Sequence, residues 1–292
     1  MKQKKDFIPY DVGTYSECLN DILDSTTTNR NHNRWFHTQQ NCSLECGSTL
    51  KLIKNSGEEI VCADIIGEVI NRLKEGNIVA IKGLGGFHLA CDAFNENSIR
   101  LLRIRKKRPH KPLAIMIKDL NLIKSLCELN QDEENILLSK KSPIVILKRK
   151  NLELLPRNIA PNLNTIGIMF PYTPLHHLLF ESGIRALVMT SANISSSPIQ
   201  YDNNQVINQL HGVADFFLIH NRNIYLPIED SVVKVINNTE LVVRRGRGYS
   251  PYSLNLEVYD EILALGSEEK GNFSLSQNGY GYLSQYLGDL KN

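Results

Sequence analysis

The chain has 292 residues, of which 42% are hydrophobic, 33 are Lys or Arg and 31 are Asp or Glu, so the formal net charge is +2. This length allows one large or two modest globular domains with a hydrophobic core. A nearly balanced charge gives no global argument for nucleic-acid or membrane binding, so any basic site must be local. The sequence has no apolar run that spans a membrane and no signal-peptide pattern, which predicts a cytoplasmic protein.

The first segment, residues 1–54, is polar and predicts a small module without a core of its own. It contains Cys18, Cys42 and Cys46. The close spacing of Cys42 and Cys46 points to metal binding rather than to a disulfide. Such a segment needs a bound metal or packing against a larger domain to stay folded.

Residues 55–255 alternate between helix and strand patterns, which predicts an α/β domain with a twisted mixed sheet. Asp64 is the expected N-cap of a helix that ends at Gly76, and Thr173-Pro174 is a typical helix start. Further helices are predicted at 96–105, 120–127, 132–138 and 203–211. Strands are predicted at 78–81, 113–117, 144–147, 165–169, 186–189, 216–219, 232–236 and 241–244, the last two joined by a hairpin at Asn237-Asn238.

Residues 256–292 predict a strand at 262–265 and a hairpin around Asn278-Gly279. A few strands of this kind are marginally stable alone, so this segment is expected to open a further domain.

A glycine-rich turn follows the strand at 78–81 and predicts a binding loop. Gly83, Gly85 and Gly86 allow a sharp backbone turn that brings N–H groups close to an anion. The spacing matches neither the dinucleotide-binding nor the P-loop fingerprint, and an ordinary turn between two strands is the alternative. The candidate binding residues here are Lys82, Gly85, Gly86, Phe87 and His88.

A cluster of cations closes the next helix, with Lys106, Arg108 and Lys111 as the candidate phosphate ligands. Arg suits bidentate contacts with phosphate, and Lys supplies a point charge. The alternative is a solvated basic helix end, which the helix dipole favours.

Small polar residues follow the strand at 186–189, where α/β sheets commonly bind ligands. Ser191 and Asn193, with Thr190 before them, are candidates to hold a phosphate or a ribose, and a local turn is the alternative. Tyr172 and Thr173 form the rigid entry to a helix. Later candidates to bind an anion are Arg245 and Arg247, and a solvated hairpin end is the alternative.

Taken in order, the segments KGLGGFHLACDA, LRIRKKRPHKP, FPYTPLHHLL, TSAN, EDS and RRGRGYSPY resemble the YrdC-like domain of the HypF carbamoyltransferase family. The segments KGLGGFHLACDA and FPYTPLHHLL are similar to HypF and not to the wider YrdC family. Residues 256–292 resemble the start of the HypF transferase domain. This resemblance implies a YrdC-like sheet with flanking helices, preceded by a small zinc-finger-like module.

The resemblance also implies the chemistry. ATP with Mg²⁺ reacts with carbamate, derived from carbamoyl phosphate, to give carbamoyl adenylate, and the carbamoyl group then passes to HypE during [NiFe]-hydrogenase maturation. Lys106, Arg108, Lys111, Ser191 and Asn193 are the implied catalytic residues. The implied substrate-binding residues are Lys82, Gly85, Gly86, Phe87, His88, Tyr172, Thr173, Thr190, Arg245 and Arg247.

The chain departs from the family at single positions, with Ser196 where Gly is usual and Glu229 where Asp is usual, and in two larger respects. In the zinc-finger-like module Tyr15 stands where the first cysteine is expected, so Cys18, Cys42 and Cys46 form an incomplete Zn²⁺ site, with His32 or His37 as possible substitutes. The acylphosphatase domain and most of the transferase domain have no counterpart here. We therefore expect a core piece of the enzyme that cannot complete the transfer alone, with the missing domains possibly acting in trans.

Two other functions remain open from the sequence. One is a threonylcarbamoyl-AMP synthase for tRNA modification, which uses threonine and bicarbonate. The other is a nucleotide-binding or RNA-binding remnant without activity.

Overall fold

Apolar residues on successive strands build a large mixed sheet that is covered on both faces. The computed structural model describes residues 49–151, 153–193, 199–250, 252–267 and 271–285. The predicted zinc-finger-like module, with Cys18, Cys42 and Cys46, lies outside these residues.

The strands of the described residues form two sheets. The larger has eleven strands in the order β11-β10-β6-β7-β5-β8-β4-β3-β9-β1-β2, and the smaller has the order β12-β15-β14-β13. The strands are β1 (Leu50–Lys54), β2 (Glu59–Ile60), β3 (Val79–Lys82), β4 (Phe87–Asp92), β5 (Ala114–Met116), β6 (Ile144–Lys148), β7 (Thr165–Met169), β8 (Leu187–Ser191), β9 (Phe216–His220), β10 (Val232–Ile236), β11 (Thr239–Arg244), β12 (Tyr252–Asn255), β13 (Ile262–Leu265), β14 (Phe273–Gln277) and β15 (Tyr280–Leu283).

The helices begin where the sequence places capping side chains. Asp64, Asn95 and Asp119 each accept a hydrogen bond from a backbone N–H of the first turn, which otherwise has no partner. The α-helices of the described residues are α1 (Ile65–Lys74), α2 (Glu96–Arg105), α3 (Leu120–Leu126), α4 (Gln131–Leu137), α5 (Pro174–Leu178) and α6 (Asn203–Leu210). No helix of the described ranges combines the length and apolarity needed to cross a membrane.

Buried residues form one cluster on each face of the large sheet. Phe87 and Leu89 of β4 contribute to the first cluster, whereas Ala90 of the same strand contributes to the second. Side chains of successive strand residues point to opposite faces, so a strand buried on both sides reads as a continuous apolar run. The mixed α/β fold with a twisted sheet and flanking helices is therefore confirmed.

Most elements match the sequence-based prediction, and four have the predicted bounds, namely α2 at Glu96–Arg105, β7 at Thr165–Met169, β10 at Val232–Ile236 and β13 at Ile262–Leu265. The prediction missed β1, β2, β4 and β12. The glycine-rich segment joins β3 directly to β4, which are antiparallel neighbours with Lys82 opposite Phe87. It is thus a turn between two strands, one of the two interpretations that the sequence allowed.

The glycine turn is held against the segment before β10. The N–H of Gly83 donates to the carbonyl of Gly86 at 2.8 Å, and the N–H of Ile228 donates to the carbonyl of Gly85 at 2.9 Å. A Cβ at Gly85 would lie 2.2 Å from the carbonyl oxygen of Ile228. Only glycine allows this close approach of two backbone segments.

Replacing Gly85 by Ala should therefore force the two segments apart. We expect Gly85→Ala to lower the free energy of unfolding by about 1–3 kcal/mol, as other overpacked sites do. Gly212→Ala is the matched control, because a Cβ at Gly212 meets no atom within 4 Å, and its effect should stay within about 0.5 kcal/mol. Urea denaturation of both variants measures the difference, and equal stabilities would contradict this account of the turn.

Candidate functional site

A cavity of about 350 Å³ lies over the ends of β4 and β8 and extends along the neighbouring strands. Its apolar wall includes Ile144, Ile146, Ile166 and Gly167 from β6 and β7. Its polar residues are His88, Arg108, Thr190, Ser191, Glu229, Asp230 and Arg244. An enclosed apolar wall beside a few convergent polar groups is typical of a small-molecule site.

Lys106 ties the end of α2 to the turn after β8. Its side chain is 1% exposed, and its ammonium group donates to the carbonyl oxygens of Ser191 and Asn193 and, at 2.8 Å, to Oδ1 of Asn193. The hydroxyl of Ser191 donates to the same Oδ1 at 2.9 Å. Burial, assisted by Arg108 and opposed by Glu229, lowers the pKa of Lys106 to about 7. The predicted Lys and Ser-x-Asn elements therefore form one hydrogen-bonded unit.

Arg108 places a guanidinium group in the cavity itself. One of its nitrogens donates to the carbonyl of Pro112 at 2.8 Å, and its Nε has no partner among the described residues. Burial lowers its pKa, as do the nearby charges of Arg103 and Arg244, whereas Glu229 raises it. Arg244 pairs with Glu229 at 2.5 Å and also lines the cavity. Around Arg108, two guanidinium groups and one carboxylate therefore leave an excess of positive charge, because Asp230, the other carboxylate of the lining, is paired with Arg247.

Arg103 shapes the basic loop without reaching the cavity. Its buried guanidinium group donates to the carbonyl oxygens of Arg108, Pro109 and Lys111, at 2.8, 3.2 and 3.0 Å. It also donates to the carbonyl oxygens of the 158–159 segment, at 2.6 and 3.0 Å. A single side chain thus fixes the backbone that presents Arg108.

A buried ion pair lies at the other side of the cavity. Arg247 contacts Oδ1 of Asp230 with Nε at 3.0 Å and Nη2 at 2.9 Å, and His88 Nε2 lies 2.9 Å from Oδ2. Although burial opposes ionisation, Arg247 and His88 hold the pKa of Asp230 well below its usual range. The guanidinium of Arg247 stacks on the ring of Tyr172 at 3.4 Å.

Several predicted site residues lie elsewhere. The ammonium of Lys82 donates to the carbonyl oxygens of His220 and Arg222, at 3.2 and 2.7 Å, and burial lowers its pKa. Phe87 lies in the core, and Thr173 caps α5 by accepting from the N–H of His176 at 3.0 Å.

Two more predicted cations, Lys111 and Arg245, also lie outside the cavity lining. Lys111 is exposed, and Arg245 donates to the carbonyl of Tyr249 at 3.1 Å. The structure thus brings His88, Arg108, Thr190 and Ser191 into the cavity lining and places Lys106 and Asn193 behind them, in contact with Ser191. The other predicted site residues lie outside the lining, namely Lys82, Gly85, Gly86, Phe87, Lys111, Tyr172, Thr173, Arg245 and Arg247. Their roles in binding stay predictions.

Sequence reasoning missed Arg244 and Asp230 as cavity residues. The signal for Arg244 was its place in the arginine cluster, because Arg244 is the last residue of β11 and lines the cavity, whereas Arg245 follows the strand and does not. Asp230 was visible in the Glu-Asp-Ser segment, but its ion pair with Arg247 arises only when β10 and the turn after β11 meet.

The cavity offers little to a resident metal ion. The described residues contain no group of three or more His, Cys, Asp and Glu side chains arranged to hold a metal. Glu229 and Asp230, the carboxylates at the cavity, are each paired with an arginine. A magnesium ion therefore fits this site only as part of a nucleotide complex, coordinated mainly by phosphate oxygens and water.

Comparison with known proteins identifies the family to which the chain belongs. A model of the Sua5, YciO and YrdC proteins, described as telomere recombination, matches residues 71–246, and a model of the HypF Kae1-like domain matches residues 257–292. The chain belongs to the Sua5, YciO and YrdC family.

Within this family, the curated relatives that are similar to the chain include HypF carbamoyltransferases. The chain is 42% identical over 223 residues to the carbamoyltransferase HypF of Synechocystis, covering 76% of this chain and 29% of that protein. It is 39% identical over 244 residues to the probable carbamoyltransferase HypF of Methanocaldococcus jannaschii, covering 82% of this chain and 32% of that protein. The chain therefore spans about a third of these relatives, and its resemblance to the central part of HypF is confirmed.

Solved structures also show the resemblance to HypF. Full-length HypF in the phosphate- and nucleotide-bound form superposes with a TM-score of 0.81 at 42% identity, covering 89% of this chain and 34% of that chain. Pyrococcus abyssi Sua5 complexed with L-threonine superposes with a TM-score of 0.55 at 24% identity over 62% of this chain and 54% of that chain, which shows the shared fold alone.

The role of Arg103 gives a test of the site. We expect Arg103→Met to lower the free energy of unfolding by at least about 2 kcal/mol, because it leaves buried carbonyl oxygens without donors. Arg100→Met, an exposed position on the same helix, is the control and should change stability by less than about 0.5 kcal/mol. Guanidinium chloride denaturation measures both variants, and an Arg103→Met variant as stable as the control would contradict this role.

Proposed function

We propose that this chain forms carbamoyl adenylate from ATP and carbamate, as the adenylating part of a HypF-like carbamoyltransferase. A carbamate oxygen attacks the α-phosphorus of ATP, the bond from that phosphorus to the bridging oxygen breaks, and pyrophosphate leaves. Carbamate is itself the nucleophile, so the step needs stabilisation of charge on the phosphates rather than a general base. Relatives named carbamoyltransferase HypF, and a HypF structure titled as phosphate- and nucleotide-bound, support this proposal.

The observation that carries the proposal is the combination, in one cavity, of an apolar wall with the local excess of positive charge around Arg108. The wall that includes Ile144 and Ile166 suits a nucleoside base, and Arg108 suits bidentate contact with phosphate oxygens. Arg244, partly neutralised by Glu229, lies in the same cavity and adds to the positive potential.

Lys106 has a different role from Arg108 in this proposal. Its ammonium is occupied by oxygens of Ser191 and Asn193, so it fixes their turn and adds positive charge behind it. The turn presents polar groups of Ser191 and Asn193 to a phosphate or a ribose. Mg²⁺ arrives with ATP and offsets charge on the leaving pyrophosphate.

Carbamate arises when carbamoyl phosphate loses its phosphate, a step assigned here to a separate acylphosphatase domain. The carbamoyl group then passes, in a transferase domain, to HypE for [NiFe]-hydrogenase maturation. The chain spans about a third of its HypF relatives, so both steps are proposed to need domains beyond the described residues, supplied in the same protein or in trans.

A product assay tests the function. With Mg-ATP and carbamate from dissolved ammonium carbamate, we expect carbamoyl adenylate and pyrophosphate by mass spectrometry. Lys106→Met should lower the rate by about 100-fold, the size typical for loss of one positioned electrostatic group. Lys107→Met removes an exposed neighbouring charge at the same helix end and should change the rate by less than about threefold.

The same assay separates the alternatives. An adenylate that forms only with threonine and bicarbonate would identify a threonylcarbamoyl-AMP synthase instead. Salt-dependent RNA binding that weakens with Lys106→Met, without nucleotide turnover, would identify a binding protein.

The pKa of Lys106 gives a prediction on pH dependence. The free protein holds Lys106 with a pKa of about 7, well below the value of about 10.4 in an unfolded chain. Phosphate anions favour the charged form, so ATP binding at pH 8 should take up a proton. ATP affinity should then fall as pH rises from 7 to 9, by at most about tenfold per pH unit.

Titration calorimetry at pH 8 in buffers of different ionisation enthalpy measures this proton uptake. Lys106→Arg is the control, because its guanidinium stays charged and should abolish the uptake. A binding enthalpy that does not depend on the buffer in the native protein would contradict the prediction.

A further inference from the structure

Residues of two segments quoted above for the HypF resemblance, KGLGGFHLACDA and FPYTPLHHLL, meet in one buried polar cluster. His88 belongs to the glycine turn segment, and Tyr172 and His176 belong to FPYTPLHH. The ring of His176 lies 4.5 Å from that of Tyr172 and 6.4 Å from that of His88, both edge to face. With Asp230 and Arg247, which contact His88 and Tyr172, these residues form what we call the histidine cluster.

The charges of the histidine cluster are balanced. Asp230 and Arg247 form an ion pair. His176 is neutral, because complete burial keeps its pKa well below the usual value. Unlike the surroundings of Arg108, this cluster has no excess cation to attract a phosphate. It is suited to a small neutral polar group.

Polar atoms of the cluster lack partners. Neither ring nitrogen of His176, which is 0% exposed, has a hydrogen-bond partner among the described residues, and neither does Nδ1 of His88. A buried polar group without a partner is costly, so such atoms normally contact a bound ligand or an ordered water.

The cluster adjoins the nucleotide cavity. His88 and Asp230 line the same cavity as Arg108 and Ser191. Carbamate has a neutral amino group at one end and a carboxylate at the other, which matches a neutral polar cluster at one side of the cavity and cations at the other. We propose that the histidine cluster binds the amino group of carbamate and directs its carboxylate toward Arg108. This inference rests on the proposed function.

Each member has a distinct part in this subsite. Asp230 accepts a hydrogen bond from the amino group of carbamate. His88 and Arg247 are positioning residues that hold the carboxylate of Asp230 in place. His176 and Tyr172 close the subsite with packed rings. A substituent on the carbamate nitrogen therefore has no space, so the cluster selects unsubstituted carbamate over N-substituted analogues.

Exchange of labelled pyrophosphate into ATP tests the selection. We expect carbamate to support exchange at least tenfold better than N-methylcarbamate, made from methylamine and bicarbonate. His88→Leu should raise the KM for carbamate at least tenfold, with the Kd for ATP changed less than twofold. His88→Gln keeps an N–H donor for Asp230 and should restore most of the loss, which a general packing role would not predict.

Nuclear magnetic resonance of the native protein with ¹⁵N-labelled histidine gives an independent readout. Adding carbamate should shift the ring signals of His88 and His176, whereas adding bicarbonate alone at the same pH should not. The His88→Gln variant assigns the first signal, and His176→Phe assigns the second.

The outcomes separate the two proposals. Shifted ring signals without any exchange would contradict the proposed adenylation and still support the carbamate subsite. Exchange that proceeds while the ring signals stay unchanged would overturn the subsite, and the cluster would then hold only ordered water. Equal use of N-methylcarbamate, or an unchanged KM in folded His88→Leu, would overturn it as well.

Discussion

The bond between the Lys106 ammonium and the oxygens of Ser191 and Asn193 is the contact on which the rest of the site depends. It joins the end of α2 to the end of β8, two elements that are far apart in the sequence. Directly after Lys106 the backbone leaves the helix at Lys107, which has a positive φ of 53°. The chain then continues into the loop that presents Arg108 to the cavity. Arg103 donates hydrogen bonds to the backbone carbonyl oxygens of this loop.

Because of this contact, Lys106 and Arg108 have different roles in the proposed function. A buried lysine that is saturated by carbonyl oxygens is a poor direct ligand but a good source of fixed positive charge. In the proposed function, the phosphate contact falls to Arg108, whose Nε has no partner among the described residues. The ion pair of Asp230 with Arg247 forms the opposite, charge-balanced side. One cavity therefore offers two chemically different ends, which is what the proposed reaction between a nucleotide and carbamate needs.

The sequence predicted much of this and missed specific parts for physical reasons. Helix and strand patterns located α2, β7, β10 and β13 with their observed bounds. The sequence-based prediction missed strand β4 because both its faces are buried, so its apolar residues do not alternate with polar ones. Lys82 and His88 were grouped together because they flank one turn, yet Lys82 lies opposite Phe87 and contacts the carbonyl oxygens of His220 and Arg222. The contact of His176 with His88 depends on the position of α5 against the sheet, which no local pattern records.

The most direct test of the account is a crystal structure of the protein with α,β-methylene ATP, which binds like ATP but does not release pyrophosphate. The account predicts the nucleoside against the wall formed by Ile144, Ile146 and Ile166, and the α-phosphate within hydrogen-bond distance of the Arg108 guanidinium. The turn of Ser191 and Asn193 should contact the same phosphate or the ribose. A nucleotide bound elsewhere on the protein, with this cavity filled by water, would contradict the central claim.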